Sequence, residues 1–167
     1  YLAGTDDMVQ SYSADTKVNP QLRLTSDQEA LIAGLCDGTI DAIATDHAPH
    51  HRDEKEVEYN SALSGISGFE TAFALCMDAL VHAHHMTMEE FVQVACTNPA
   101  KILGKNCGKL EVGRDADFII ADIAEEWTVD RKEFVSKGKN TPFDGRTVHG
   151  RVLETYVGGK RIYKYED

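Results

Sequence analysis

The chain has 167 residues, 42% hydrophobic and 27% charged, a globular balance with room for one domain, or one domain and part of another. Its net charge of −11 argues against nucleic acid or an anionic membrane as a partner, and any anionic substrate must be met by local donors. No apolar run is long enough to span a membrane, no signal peptide opens the chain, and Cys36, Cys76, Cys96 and Cys107 lack metal-binding spacing; the reading is a reduced, cytoplasmic protein without a cysteine-held zinc.

The chain opens at Tyr1 with no initiator Met, like the middle of a longer protein. Asn19-Pro20-Gln21-Leu22-Arg23 reads as a loop, because Pro20 disfavours helix at Asn19. Ser26 to Glu29 fits a capping box, so a helix is expected from Asp27 to about Cys36, with Leu31, Ile32 and Leu35 inward and Gly38 as its left-handed cap. The short apolar run Ile40 to Ala44 reads as a buried parallel strand ending at Asp46. Three histidines, His47, His50 and His51, follow within five residues. A carboxylate and imidazoles just past the C-terminal end of such a strand suit a zinc site, a general base, or both. The bland reading is a capped turn with solvated histidines.

His51 to Glu56 is a mixed charge run, by default a solvated loop. In Ser64-Gly65-Ile66-Ser67-Gly68 the two glycines allow unusual backbone angles or close ligand approach, without the spacing of a phosphate loop. From Phe69 the pattern is helical, with Phe69, Ala72, Phe73, Cys76 and Leu80 on one face, a core stripe rather than a cofactor box. His82, His84 and His85 follow at its frayed end; they have no carboxylate partner, so a surface reading outweighs a metal one. Thr87 to Glu90 makes a second capping box, for a helix with Phe91, Val92 and Ala95 inward, and Pro99 starts a short helical turn that Gly104 stops. At Gly108 the style changes. A turn leads into a buried strand at Phe118 to Ala121, and Arg151 to Val157, Gly158-Gly159 and Lys160 to Tyr163 make a hairpin. No internal repeat or low-complexity tract is visible.

Asp46-His47-Ala48-Pro49-His50 after a strand resembles the last barrel strand of the amidohydrolase superfamily and, more narrowly, the class I dihydroorotases. Asn19-Pro20-Gln21-Leu22-Arg23 is similar to their Asn-Pro-Pro-Leu-Arg segment, with Gln21 in place of the second Pro. Ser64-Gly65 stands where they carry Phe-Gly, and Asn140-Thr141-Pro142-Phe143-Asp144-Gly145 also matches them. The resemblance implies an α/β fold: residues 1–107 as the C-terminal part of a (β/α)8 barrel, and 108–167 as most of a small composite β-sandwich. It implies zinc-dependent interconversion of dihydroorotate and N-carbamoyl-aspartate in pyrimidine biosynthesis. Zinc lowers the pKa of bound water to about 7, and the hydroxide attacks the ring amide. Asp46 would ligate the metal and shuttle the proton. Asn19 and the Ser64-Gly65 backbone would hold the ring, and His50 the substrate carboxylate. His47 has no matching contact and a supporting part; Asn140 to Gly145 is scaffold.

The family's other ligands for its binuclear zinc centre lie on earlier barrel strands, so the resemblance implies that this chain works with a missing N-terminal barrel half and by itself is inactive. Exposed apolar surface is expected on the barrel-derived part, which allows self-association as a homodimer. Two rival readings stand beside this one. Other cyclic amidases (dihydropyrimidinase, hydantoinase, allantoinase) share Asp-His but usually lack the following Ala-Pro-His. A non-catalytic dihydroorotase-like subunit is the other alternative.

Overall fold

Helix Phe69–His82 is the central support, and its composition explains why. It begins as α-helix and widens to a π-helical stretch at Met77–His82. Two sides of it are apolar, and each meets a different core. Met77 and Leu80 pack with Leu35, Phe91 and Val94 from the other helices and with Met86 from the turn before helix Met88–Val92, while Ala74 and Leu75 pack with Val129, Phe134, Phe143 and Val148 from the sheet and its connecting loop. Burial on two sides corrects the single stripe expected from periodicity. Thr71, Ala74, Leu75, Met77 and Leu80 are buried, and Phe69 is 67% exposed.

The computed structural model of the protein describes residues 1–166. Helix α1 spans Thr25–Asp37, α2 Arg52–Lys55, α3 Phe69–Cys76, α4 Met88–Val92 and α5 Asn98–Ile102. The expected box at Ser26 forms two residues earlier in another way. Leu24 is the cap residue, and the Asp27 carboxylate, not Glu29, accepts the Leu24 N–H at 3.2 Å. Leu35 is buried on α1, but Leu31 lies at the surface. The box at Thr87 forms as expected, with Glu90 accepting the Thr87 N–H at 2.8 Å and Thr87 Oγ1 accepting the Glu90 N–H at 3.3 Å. On the helix it opens, Phe91 and Val94 are buried while Val92 is exposed. Gly38 ends α1 in the left-handed conformation, φ +79°.

Strands β1 (Phe118–Thr128), β2 (Thr147–Val157) and β3 (Lys160–Lys164) form one antiparallel sheet in the order β1-β2-β3. The β2–β3 hairpin turns at Gly158-Gly159 as expected, and β1 runs past Ala121 to Thr128 through register shifts. Among the described residues the strands make this single sheet, not the two layers of a sandwich; the last residue of the expected 108–167 segment, Asp167, lies outside the described residues. Gly150 sets how closely β2 approaches the central helix. Its φ is +97°, and a Cβ there would meet Met77 Cγ at 3.1 Å and Phe73 Cε1 at 3.2 Å.

The expected strand at Ile40 to Ala44 does not form. A parallel strand is defined by its ladder, and among the described residues no strand lies beside this segment. Its backbone bonds elsewhere: the Ile43 N–H to Val94 O at 3.0 Å, the Asp41 carbonyl to Asn98 Nδ2 at 2.9 Å. The charge run at His51 to Glu56 is likewise not a solvated loop. It contains α2, and Lys55 is only 6% exposed. Cys36 and Cys96 are exposed. No described helix is long and apolar enough to cross a membrane.

Gly150→Ala should lower the unfolding free energy by about 1–3 kcal/mol more than Gly145→Ala, measured by urea denaturation. Both sites have positive φ, but a Cβ at Gly145 meets nothing within 4 Å. Equal losses would mean that the helix–sheet contact has slack.

Candidate active site

Asp46 sits in the left-handed region at φ +47°, uncommon for a residue other than glycine and tolerated by Asp. It lines a largely apolar cavity of about 390 Å³ together with Asn19, Ser64 and Gly65. The next residue leaves that wall. His47 forms a parallel bridge with Ile66, and its ring stacks on Phe69 with centroids 3.9 Å apart and planes 6° from parallel. His47 Nδ1 accepts the N–H groups of Gly68 at 3.0 Å and Phe69 at 3.2 Å, the free donors at the start of α3. A nitrogen that accepts two N–H groups carries no proton, so the ring proton resides on Nε2, which lies 3.3 Å from Ser136 Oγ. The cap thus ties the residue beside Asp46 to the central helix.

Four of the five expected site residues share the cavity wall: Asn19, Asp46, Ser64 and Gly65. His50 stands behind it. Its Nε2 lies 2.9 Å from the Ser64 carbonyl and donates to it, and its Nδ1 lies 3.5 Å from Glu54. Gly65 is demanded by space: at φ +137°, a Cβ would sit 2.6 Å from Ala48 Cβ and 2.9 Å from His50 Nε2. Both polar backbone atoms of Gly65 are engaged within the protein, the N–H with Lys17 O at 2.9 Å and the carbonyl with Lys55 Nζ at 3.0 Å and Asn140 Nδ2 at 2.9 Å.

Three neighbours escaped sequence reasoning. Lys55 was hidden in its charge run. Its ammonium donates to the Leu63 and Gly65 carbonyls, and burial lowers its pKa, with Lys17 adding to the effect and Asp15 opposing it. Tyr1 reaches the site edge; burial and then the Asp46 charge raise its phenol pKa. Glu70 receives the Ser136 N–H on Oε1 at 2.8 Å. No sequence signal marks Tyr1 or Glu70. Cys76 also lines the cavity, and burial pushes its thiol up to about 11, which leaves it an inert wall group near neutral pH.

A family model described as the amidohydrolase family matches residues 5–162. The chain belongs to the amidohydrolase family. This amidohydrolase chain is 49% identical over 164 residues to a protein named dihydroorotase from Acetivibrio thermocellus, covering 98% of the chain and 38% of the relative. It is 52% identical over 160 residues to a dihydroorotase from Thermoanaerobacter sp., covering 96% and 37%. Among solved structures it matches an L-hydantoinase (dihydropyrimidinase) from Arthrobacter aurescens with a TM-score of 0.92 and 32% identity, covering 98% of this chain and 38% of that one. The chain therefore spans 38% of the length of the first of these curated relatives.

Glu70 gives the site a pH test. Burial pushes its carboxyl up, but the bonds from Ser136 and the helix start outweigh that and hold it below its ordinary 4.5. A depressed folded pKa stabilises the fold above the unfolded value, and that contribution disappears as pH falls through the folded one. Wild type should therefore exceed Glu70→Gln in stability at pH 7, and the gap should close below about pH 4.5. A gap that does not narrow as pH falls below 4.5 would assign it to packing.

Proposed function

We propose that this chain forms one wall of a dihydroorotase active site, opening the cyclic amide of dihydroorotate to N-carbamoyl-aspartate and closing it again, in cytoplasmic pyrimidine biosynthesis. The observation that carries the reading is the convergence of Asn19, Asp46, Ser64 and Gly65 on one cavity, in a chain 49% identical to a dihydroorotase across nearly its whole length. On this reading Ile40 to Ala44, which pairs with no strand among the described residues, serves as the last strand of a (β/α)8 barrel that includes residues 1–107. Its neighbouring strands come from chain outside these 167 residues, and 108–167 belongs to a small β-sandwich.

The reading implies a binuclear zinc centre. Among the described residues no cluster of three or more His, Cys, Asp or Glu side chains is placed to hold a metal. Structural and catalytic zinc sites take three or four protein ligands, so the residues present do not fit the centre by themselves. Asp46 would contribute one ligand, and the others would come from outside this chain.

The chemistry these residues can perform is proton transfer and orientation. Water adds its oxygen to the ring carbonyl carbon as Asp46 takes its proton. Asp46 then returns the proton to the ring nitrogen as the C–N bond breaks. A positioned base of this kind contributes typically ~10²–10⁴-fold. Asn19 offers a donor and an acceptor to the ring amide. Polar contact from the Ser64-Gly65 wall falls to Ser64, since Gly65 is fully engaged. His50 meets the substrate carboxylate by exchanging its bond to the Ser64 carbonyl for one to the anion.

A hydantoinase or dihydropyrimidinase activity is the second reading, favoured by the TM-score of 0.92 to the Arthrobacter enzyme. His50 separates the two, because dihydroorotate carries a carboxylate that dihydrouracil lacks. In the full-length enzyme, Asp46→Asn should lose more than tenfold in kcat, over ~1.4 kcal/mol of barrier. His50→Ala should lower kcat/KM for dihydroorotate about tenfold to a hundredfold, with zinc content and any dihydrouracil activity unchanged. Equal losses on both substrates would favour the second reading. A variant at Asp46 that kept its rate would remove the proton role.

A further inference from the structure

The chain that links β1 to β2 packs Phe134 and Phe143 into the core beside the sheet, and the stretch between them lies against the segment that carries His50. At its centre is Asn140, 5% exposed and bonded through both ends of its amide. Oδ1 accepts the His50 N–H at 3.0 Å; Nδ2 donates to the Ala48 carbonyl at 3.2 Å and to the Gly65 carbonyl at 2.9 Å. Only this orientation of the amide works, since two carbonyls need a donor and one N–H needs an acceptor. The Asn140 carbonyl also accepts the N–H of Ser67, a residue with 0% exposure whose hydroxyl donates to the Gly138 carbonyl at 2.7 Å. The loop lies so close that a Cβ at Gly138 would sit 2.7 Å from the His50 carbonyl and 2.8 Å from Pro49 Cβ.

We propose that Asn140 is a positioning residue of this site: its side-chain amide fixes the spacing between the segment that carries Asp46 and His50 and the Ser64-Gly65 wall. One side chain bridges both, and each is otherwise joined to the other here by the Ala48 N–H to Ile66 carbonyl bond at 2.8 Å, the His47–Ile66 bridge and the His50–Ser64 bond. A proton carrier and a ring-holding wall on separate segments must keep a fixed separation, because misplacement by about 1 Å can cost ~10²-fold. The other donor to the Gly65 carbonyl, Lys55, grips it from the α2 side, the Gly65 N–H is held by the Lys17 carbonyl, and neither bond touches the Asp46 segment.

The proposal rests on the dihydroorotase reading for its kinetic arm and is independent of it for its structural arm. In the full-length protein, Asn140→Asp keeps an acceptor for the His50 N–H but sets a carboxylate against two carbonyls, and Asn140→Ala removes every side-chain bond. At a temperature well below the melting midpoint of each variant, Asn140→Asp should raise KM for dihydroorotate at least about tenfold and lower kcat as well. A merely structural role lowers the folded fraction, and with it the apparent kcat, at unchanged KM. Unchanged KM would therefore overturn the positioning role. Amide hydrogen exchange of the Ala48 to Arg52 segment reads the same claim without substrate: His50 should exchange at least about tenfold faster in Asn140→Ala and near the wild-type rate in Asn140→Asp. Unchanged exchange in Asn140→Ala refutes the clamp, and if that variant does not fold, fast exchange in Asn140→Asp does so. Wild-type protein without dihydroorotate turnover, with the exchange pattern as expected, would sink the dihydroorotase reading and leave the clamp standing.

Discussion

The segment from Ile40 to His50 has no strand ladder beside it among the described residues, and the site depends on how its backbone is satisfied instead. Buried peptide groups must find partners, and leaving one unpaired costs about 1–3 kcal/mol. Here the partners come from three directions: Val94 and Asn98 from the helices, Ile66 from the Ser64-to-Gly68 stretch, and Asn140 from the β1–β2 loop. These bonds flank Asp46, which lies at the edge of the cavity in a left-handed conformation uncommon for a residue other than glycine. Strain persists only where the surroundings over-determine it, and such residues cluster at functional sites.

Position reaches Asp46 through packed elements. Gly150 lets β2 close on the central helix, and the first two donors of that helix end on His47 Nδ1, beside Asp46. The loop that follows β1 contributes Ser136 at His47 and Asn140 at His50, so the sheet and the cavity wall are fixed by one piece of chain. Charge follows the same economy. In a chain of net charge −11, the ammonium of Lys55 is buried against two carbonyls behind the wall, where it holds Gly65 and partly offsets the acidic field.

Much of this was legible from local chemistry. The Thr87 capping box, the Gly38 cap and the Gly158-Gly159 hairpin are each written in a few adjacent residues, and each stands where those residues indicate. What failed depends on neighbours distant in sequence. Ile40 to Ala44 has a strand's composition, but a ladder requires a second strand. The Phe69 helix carries an apolar stripe, but two cores claim it from different sides, so Phe69 faces out while Thr71 and Ala74 are buried. Lys55 looked solvated because a run of charges usually is; its burial is decided by carbonyls 8 and 10 residues away. Asn140 was recognisable as part of a motif but not as a clamp, since its partners lie 75 to 92 residues earlier in the chain.

The sequence relatives and the structural neighbour named above divide over substrate, dihydroorotases on one side and a hydantoinase on the other. The measurement that bears most directly on the account is the ratio of kcat/KM for dihydroorotate to that for dihydrouracil, taken with the full-length protein under one set of conditions. A hydrogen bond to a charged partner is worth about 1.5–3 kcal/mol, so carboxylate recognition through His50 predicts a preference for dihydroorotate of at least about tenfold. A ratio at or below unity would contradict it.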